Sequence, residues 1–323
     1  MGLIYRQEKD GFQDFVRALI DLYEVIAPIE EDLVRFSPIK YPSQIFFKKN
    51  AYFPLKEYFF RKHEVLFTFD GKGFAQPKQK TPPRVFFGMR RCDLNAIAHQ
   101  DQVFQGDVHD PYYVEARKNT FLLGYHCEEA PSKYCFCGSL NLKDFFDLMY
   151  YERGDHFLVE VGSSQGEKLI TKYRRFFSLA KVEITKEEKK IKNAARLKKS
   201  DIAKLYENPD WQKGVEICLS CAACTNLCPT CYCFEIHDEV TTKNPSKGKR
   251  LRQWSSCQLP EFTRVAGDYV FREKREERFK HRVFHQLEYF KEKHGNSLCV
   301  GCGRCIEGCP TRIDFVDIIN DMK

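Results

Sequence analysis

The chain carries fifteen cysteines in 323 residues, and eight of them fall into two runs of a single spacing. The first is Cys218-x2-Cys221-x2-Cys224-x3-Cys228-Pro229; the second is Cys299-x2-Cys302-x2-Cys305-x3-Cys309-Pro310. Thiolates bind soft metals, and this spacing is the one by which a short loop presents three sulfur ligands to a [4Fe–4S] cubane. The fourth cysteine lies beyond a tight turn, and where two such runs share a chain it ligates the other cluster. The spacing therefore predicts Cys218, Cys221, Cys224 and Cys309 around one cluster, and Cys299, Cys302, Cys305 and Cys228 around the second. Zinc is the competing reading, but a tetrahedral ion has no use for a third cysteine at the same short spacing. Disulfides are the other, and they belong to oxidising compartments. The chemistry these residues point to is one-electron transfer.

Seven further cysteines raise the question of additional centres. Cys92, Cys127, Cys135 and Cys137 make four thiols, the number a third cubane requires. Buried cysteine as a small hydrophobe is the alternative, but it does not explain a C-x-C pair in a loop of Pro, Ser and Lys. A third cluster is the expectation for these four. Cys231, Cys233 and Cys257 are three thiols, one short of a cubane set. They define a possible further site if His237 or Asp238 supplies a ligand, and otherwise they shield a neighbouring cluster or pack as thiols. His99, His109 and His126 read as core or surface histidines rather than ligands.

The elements that must position these residues follow from periodicity. Residues 12–26 read as an amphipathic helix through Phe12, Phe15, Leu19, Leu22, Tyr23 and Ile26. Pro28, Pro38 and Pro42 then predict a loop-rich stretch. Apolar, β-branched and aromatic runs at 65–69, 85–87, 120–125 and 157–161 read as strands, with helical segments at 93–105 and 142–151 between them. That alternation predicts an α/β domain with a partly parallel sheet. Cys92 and Cys127 each follow a strand, so parallel strands would put both at the carboxyl edge, where open α/β sheets bind ligands. A charged linker of helical character is expected over 181–210, ending at Asn208-Pro209. The division predicted is an α/β domain over 1–210 and an α+β two-cluster ferredoxin-like domain over 211–323. About seventy residues separate Cys228 from Cys299, so the second domain should carry a long helical insertion at about 231–297. Its main helix is read over 271–294, with Phe279, Val283, Leu287 and Phe290 on one face and Arg272, Lys274, Arg275, Arg278, Lys280 and Arg282 mostly on a solvated one.

Charge and absent motifs narrow the function. Lys+Arg 52 against Asp+Glu 45 leaves a net +7, concentrated at 189–199 and 243–252. No nucleic-acid motif accompanies these patches, so solvated helix faces and docking surfaces for an acidic partner, such as a soluble ferredoxin or a flavoprotein, are the better readings. Gly71-Lys72-Gly73 and Gly162-Ser163-Ser164-Gln165-Gly166 do not complete a dinucleotide fingerprint, so no FAD or NAD site is recognised. The segment from Met1 to Arg6 starts no apolar leader, and no apolar run suffices to span a bilayer. A cytoplasmic protein without direct membrane insertion is expected.

Several of these features occur together in one family. Gly88-Met89-Arg90-Arg91-Cys92-Asp93-Leu94, the Cys127 to Cys135-Phe136-Cys137 segment, Cys228-Pro229-Thr230-Cys231-Tyr232-Cys233-Phe234, Trp254-Ser255-Ser256-Cys257 and Cys299-Val300-Gly301-Cys302-Gly303-Arg304-Cys305 resemble the sulfhydrogenase beta subunits. That family includes the A subunit of anaerobic sulfite reductases. The resemblance covers most of the chain from about residue 85 onward. It implies a 4Fe–4S electron-transfer subunit of a multi-subunit oxidoreductase, beside a flavin- and NAD(P)-binding diaphorase subunit and a catalytic subunit of hydrogenase or sulfur/sulfite reductase type. No side chain is then expected to act as an acid or base. The alternative is a catalytic reductase of disulfides or polysulfides, using an open-coordination cluster near Cys231, Cys233 and Cys257.

Overall fold

The computed structural model describes residues 2–77, 80–199 and 201–323; Met1 and Ser200 of the linker lie outside them. The chain begins β1 (Ile4–Glu8), α1 (Lys9–Ile20), β2 (Glu24–Glu30) and β3 (Val34–Pro38), then β4 (His63–Phe69) and β5 (Phe74–Ala75). Next come β6 (Arg84–Met89), α2 (Arg91–Phe104), α3 (Pro111–Arg117), β7 (Thr120–Tyr125), β8 (Leu148–Arg153), β9 (His156–Val161), α4 (Ser164–Lys172) and β10 (Ser178–Leu179). The C-terminal part holds α5 (Gln212–Val215), α6 (Ala223–Asn226), β11 (Phe234–Thr241), β12 (Asn244–Trp254), α7 (Arg275–Phe284), α8 (Phe290–His294), α9 (Arg304–Glu307) and α10 (Phe315–Asp321).

Eight strands form the main sheet in the order β10-β1-β9-β8-β7-β6-β2-β3. The four central strands, β8, β7, β6 and β2, are mutually parallel, and the outer pairings are antiparallel. Side chains alternate across the sheet, as the two-residue period demands. Val85, Phe87, Leu123, Tyr150 and Val159 face α1 and α4, which bring Phe12, Phe15, Leu19, Leu169 and Ile170. Phe86, Leu122, Met149 and Tyr151 face the opposite way, toward Leu94, Ile97 and Phe104 of α2 and Tyr113 of α3. The result is a helix–sheet–helix sandwich.

Four sequence expectations are corrected here. The first helix ends at Ile20, because Asp21 closes it and the β-branched pair Val25-Ile26 pairs in β2 beside β6. The proline-bearing stretch after it contains strands β2 and β3. Pro28 is tolerated because the ladder from β2 to β6 stops at Ile26, where no amide from Pro28 is needed. The segment 142–151 is not helical; its second half is β8. The linker is not α-helical either; its only helical turns among the described residues are the short 3-10 segments Ala203–Leu205 and Pro209–Trp211. It runs over 181–199 as a strap hydrogen-bonded along the cysteine loop: Ala130 N to Lys192 O at 2.9 Å, Lys192 N to Glu128 O at 3.0 Å and Gly138 N to Ala194 O at 2.7 Å.

The insertion is not all helical. It opens with the β11–β12 hairpin, and β12 pairs with β4 to complete a second sheet, β11-β12-β4-β5. That sheet draws strands from both sides of residue 210, so the two parts of the chain share a structural element. The helix that follows contains a π-helical turn at His285–Tyr289 between α7 and α8, a feature found mostly at functional sites. No helix among the described residues is long and apolar enough to cross a membrane.

Candidate iron–sulfur centres

The two cysteine runs fold alike. Ser220 N donates to Cys218 Sγ at 3.4 Å, and Gly301 N donates to Cys299 Sγ at 3.4 Å. The second and fourth residues after the leading cysteine take positive φ in each run: Ser220 (52°) and Ala222 (65°) in the first, Gly301 (64°) and Gly303 (75°) in the second. This curls the backbone so that the cysteines converge. The first run accepts the strain of two non-glycine left-handed residues. The second has a further need for glycine, because a Cβ on Gly301 would lie 2.4 Å from Cys137 N and one on Gly303 2.6 Å from Tyr134 C.

Cys218, Cys221, Cys224 and Cys309 all line one cavity of about 60 Å³, walled by Leu219, Phe279, Val283 and Ile313. For the second set, the Cys228 sulfur acts electrostatically on each of Cys299, Cys302 and Cys305. The structure thus gathers the first expected set in one cavity, with Cys305 also in its wall, and puts Cys228 within electrostatic reach of Cys224 as well as of the second run. Among the described residues no three His, Cys, Asp or Glu side chains converge on a point fit for a single metal ion. A cubane asks for something different, four sulfurs spread around four irons, and the cysteine-lined cavity suits that.

The surrounding charges fit an anionic group as well. Arg282, on α7, lines the cavity, donates to Cys224 O at 3.2 Å and faces the sulfurs of Cys231, Cys228, Cys224 and Cys305. Its Nε is shut away from solvent without an acceptor, and no carboxylate pairs with it among the described residues. The sequence reading placed this residue on a solvated face; the structure turns it inward, along with buried Arg278 and Lys280. Arg304 is 3% exposed, pairs with Asp93 at 2.8 Å and leaves Nη2 without a partner near Cys302 and Cys92. Buried donors of this kind belong beside negative charge. Burial pushes the Cys224 and Cys299 thiols up to about 12, so a bound metal must displace their protons.

Of the N-terminal thiols, Cys127, Cys135 and Cys137 lie within electrostatic reach of one another, and Cys92 of Cys137. At Gly88 (φ 75°) β6 shifts register, which re-aims the chain into α2, and Cys92 sits in its first turn. Cys127 lies two residues beyond β7, parallel to β6, under Arg90. Cys137 is within electrostatic reach of Cys135, Cys127 and Cys302, and Cys92 of Cys137 and Cys302. Cys92 and Cys302 share one apolar cluster with Ala96 and Val300. The C-x-C loop is tied directly onto the second run: Phe136 N donates to Gly301 O at 2.8 Å, and Cys135 Sγ reaches Cys302 O at 3.7 Å. Phe136, 1% exposed, is driven into the C-terminal core against Ile306, Val316 and Phe315. Burial pushes Cys135 and Cys137 up to about 12.

Cys231, Cys233 and Cys257 also gather, but without the ligands once considered for them. His237 and Asp238 lie on the exposed hairpin, where Asp238 binds Arg250 at 2.7 Å. Cys228 and Cys231 are instead bridged by Gln286, and Cys257 accepts from Gln258 Nε2 at 3.9 Å. The neighbouring Cys257 pushes Cys233 down to about 7. Gln286, in the π-helical turn, donates to Cys231 Sγ and reaches Cys228 Sγ, each at 3.7 Å. Lys56, 3% exposed, donates to Thr225 O and Cys231 O at 3.0 and 3.1 Å and lies over the Trp254 ring at 4.1 Å. Neither Lys56, Arg282 nor Gln286 stands out in the sequence as part of a centre. Their only signal is spacing, since Arg282 and Gln286 are one helical turn apart. His99 bonds Leu298 O at 3.1 Å and the His126 ring lies tilted against Tyr151 at 4.9 Å, so both are committed to packing.

Comparison with known proteins agrees with this geometry. Residues 217–313 match the 4Fe-4S dicluster domain, which accounts for two [4Fe–4S] clusters in the C-terminal part. Over 97% of its length the chain is 33% identical to the sulfhydrogenase 2 subunit beta of Pyrococcus furiosus, covering 96% of that protein. The chain belongs to the sulfhydrogenase beta-subunit family and is an iron–sulfur, electron-transfer oxidoreductase subunit.

Proposed function

We propose that this chain is a three-cluster relay inside a cytoplasmic hetero-oligomeric oxidoreductase. It joins a flavin- and NAD(P)-binding subunit to a catalytic subunit of hydrogenase or sulfur/sulfite reductase type. Cys218, Cys221, Cys224 and Cys309 would hold the first cluster, Cys299, Cys302, Cys305 and Cys228 the second, and Cys92, Cys127, Cys135 and Cys137 the third. A bound cubane supplies one-electron chemistry. What the protein residues contribute is spacing, burial and compensating charge. The observation that carries the reading is the seam at Cys302: its carbonyl meets Cys135 Sγ, its sulfur faces Cys92 and Cys137, and Cys228 reaches it from the first run. The cysteine sets therefore follow one another without a gap.

The alternative of a sulfur-compound reductase at Cys231, Cys233 and Cys257 is disfavoured by burial. Cys231 is 5% and Cys257 3% exposed, and only Cys233 is half-buried, which leaves a substrate sulfur a single narrow approach. These thiols serve better as a hydrogen-bonded shell around Cys228, and such shells tune cluster potentials. Around the first run, by contrast, Cys221 is exposed beside exposed Ile217 and Leu219. That apolar rim suits a permanent subunit contact.

Iron and acid-labile sulfide analysis with EPR on the anaerobically purified protein tests the count. About twelve irons per chain are expected. About eight, unchanged in Cys135→Ser, would remove the third centre, and turnover of polysulfide by the isolated chain with a reduced viologen would replace the relay by an enzyme.

A further inference from the structure

The charge of this protein is not spread evenly. The strap over 181–199 holds eight Lys and Arg against three Glu, a net +5 out of the chain's +7. It is the strap hydrogen-bonded along the cysteine loop, with Leu197 N on Ser139 Oγ at 2.9 Å and Arg196 on Tyr134 O at 3.3 Å. The fold has therefore laid a net positive segment along the Cys135–Cys137 loop, although its Arg196 is spent on Asp314 and Asp317 at 2.7 and 2.9 Å.

A groove of about 520 Å³ opens beneath the strap, and Cys137 lies in its wall with Arg91, Asp144, Lys186, Lys189 and Lys190. Part of that charge is spent inside the protein. Asp144 takes Arg91 and Lys189, and Lys189 also binds Glu160 at 2.7 Å. Lys190 meets Glu187, but both side chains are more than 70% exposed, so the pair is worth little. Lys186, Lys192 and Lys198 are exposed and enter no ion pair among the described residues. The cavity on the other side of the same cysteine set, at Cys127, has a different character: Glu128, Glu129 and Glu152 offset Lys48 and Arg90 there. Of these two concavities, the one at Cys137 is the basic one.

We propose that this groove docks a small, acidic, one-electron carrier protein and is where electrons pass between that carrier and the N-terminal cysteine set. The proposal rests on the third-cluster reading above. The surface is concave, basic and rimmed by the exposed Lys186 and Lys190, which is the form that steers an acidic partner into a short-lived encounter. Cys137 at the groove wall shortens the path that the electron crosses. Each encounter moves one electron: the carrier is oxidised by one, the cluster is reduced by one, and no bond or proton changes hands.

The test uses the whole cluster-loaded protein in its complex. Stopped-flow reduction by an acidic ferredoxin-type protein is followed against ionic strength, with a reduced viologen as a control that needs no docking surface. The wild-type rate with the acidic carrier should fall steeply as salt rises. Lys186→Glu with Lys190→Glu should lower it at least about tenfold at low salt and flatten the dependence. The viologen rate, iron content and subunit composition of the variant should stay unchanged. An unchanged carrier rate with intact iron would overturn the docking proposal while leaving the third cluster standing. A wild-type iron count of about eight would overturn the cluster reading and this inference with it. Loss of a subunit from the variant complex would show the groove to be a permanent interface, and would also overturn it.

Discussion

Arg282 offers the sharpest test of how the protein sets its potentials. Its guanidinium bonds Cys224 O at 3.2 Å and faces Cys224 of the first set and Cys228 and Cys305 of the second, with no carboxylate to cancel it among the described residues. Each cluster gains one negative charge on reduction, so this cation stabilises both reduced states. A unit charge at about 7 Å in an effective dielectric of about 20 is worth about 2 kcal/mol. For a one-electron couple that corresponds to on the order of 100 mV. Arg282→Met keeps much of the volume and removes the charge, so both midpoint potentials should fall by about that amount. Arg282→Lys keeps the charge and should shift them by less than half as much. The assay is an EPR-monitored potentiometric titration of the anaerobic protein, with iron content measured in parallel. Potentials unmoved in Arg282→Met, at full iron content, would show that the field of this residue is screened, and the argument from its missing partner would fail.

Three other outcomes follow from particular contacts. Asp93→Asn breaks a pair whose side chains are 1% and 2% exposed. Stranding Arg304 should cost about 3–5 kcal/mol in denaturant unfolding of the loaded protein, and a loss under about 1 kcal/mol would mean the pair is already compensated elsewhere. Gly301→Ala meets both a positive φ and the Cys137 backbone, so it should separate the C-x-C loop from the second run and lower the iron content by about four atoms per chain; a full complement would contradict the seam. Burial pushes His281 down to about 4, so the folded state holds it neutral while the unfolded chain takes up a proton below about 6.5. Stability should therefore fall as pH drops from about 6.5 toward about 4 and lose no more from this group below that. His281→Gln should flatten that part of a melting-temperature profile, and an unaltered slope would rule the residue out as its source.

The two cysteine runs and the strands that flank Cys92 and Cys127 could be read from the sequence because their signals are local. A motif spacing or a run of Val, Phe and Leu needs no knowledge of distant residues. The elements that were misread depend on distant partners. The hairpin β11–β12 carries Lys, Glu, Asp and Asn, poor strand formers, and is held by pairing with β4 nearly two hundred residues earlier. The strap looked helical because Ala194, Ala195 and Leu197 suit a helix, but its amides find better partners in the loop at 128–139. Arg282 looked solvated because an arginine among arginines normally is; only the cavity shows that it faces sulfur. Phe136 could have been suspected, since a large apolar residue between two cysteines must be buried somewhere.

That burial bears on why the relay is built as one folded unit rather than as a ferredoxin docked on a carrier domain. Electron transfer tolerates little variation in distance, so the third cluster proposed above requires the N-terminal cysteines to be fixed against the second run. Three independent devices do this at one place. Phe136 anchors in the C-terminal core, the Arg304–Asp93 pair joins α9 to α2, and the Phe136–Gly301 bond closes the backbone between them. A buried phenylalanine alone is worth about 3–5 kcal/mol against truncation, comparable to the buried ion pair. The shared sheet through β4 and β12 adds a fourth attachment. Opening the seam would require losing these together, so the spacing between Cys135, Cys137 and Cys302 is set by the global stability of the fold and not by a local, breathing contact.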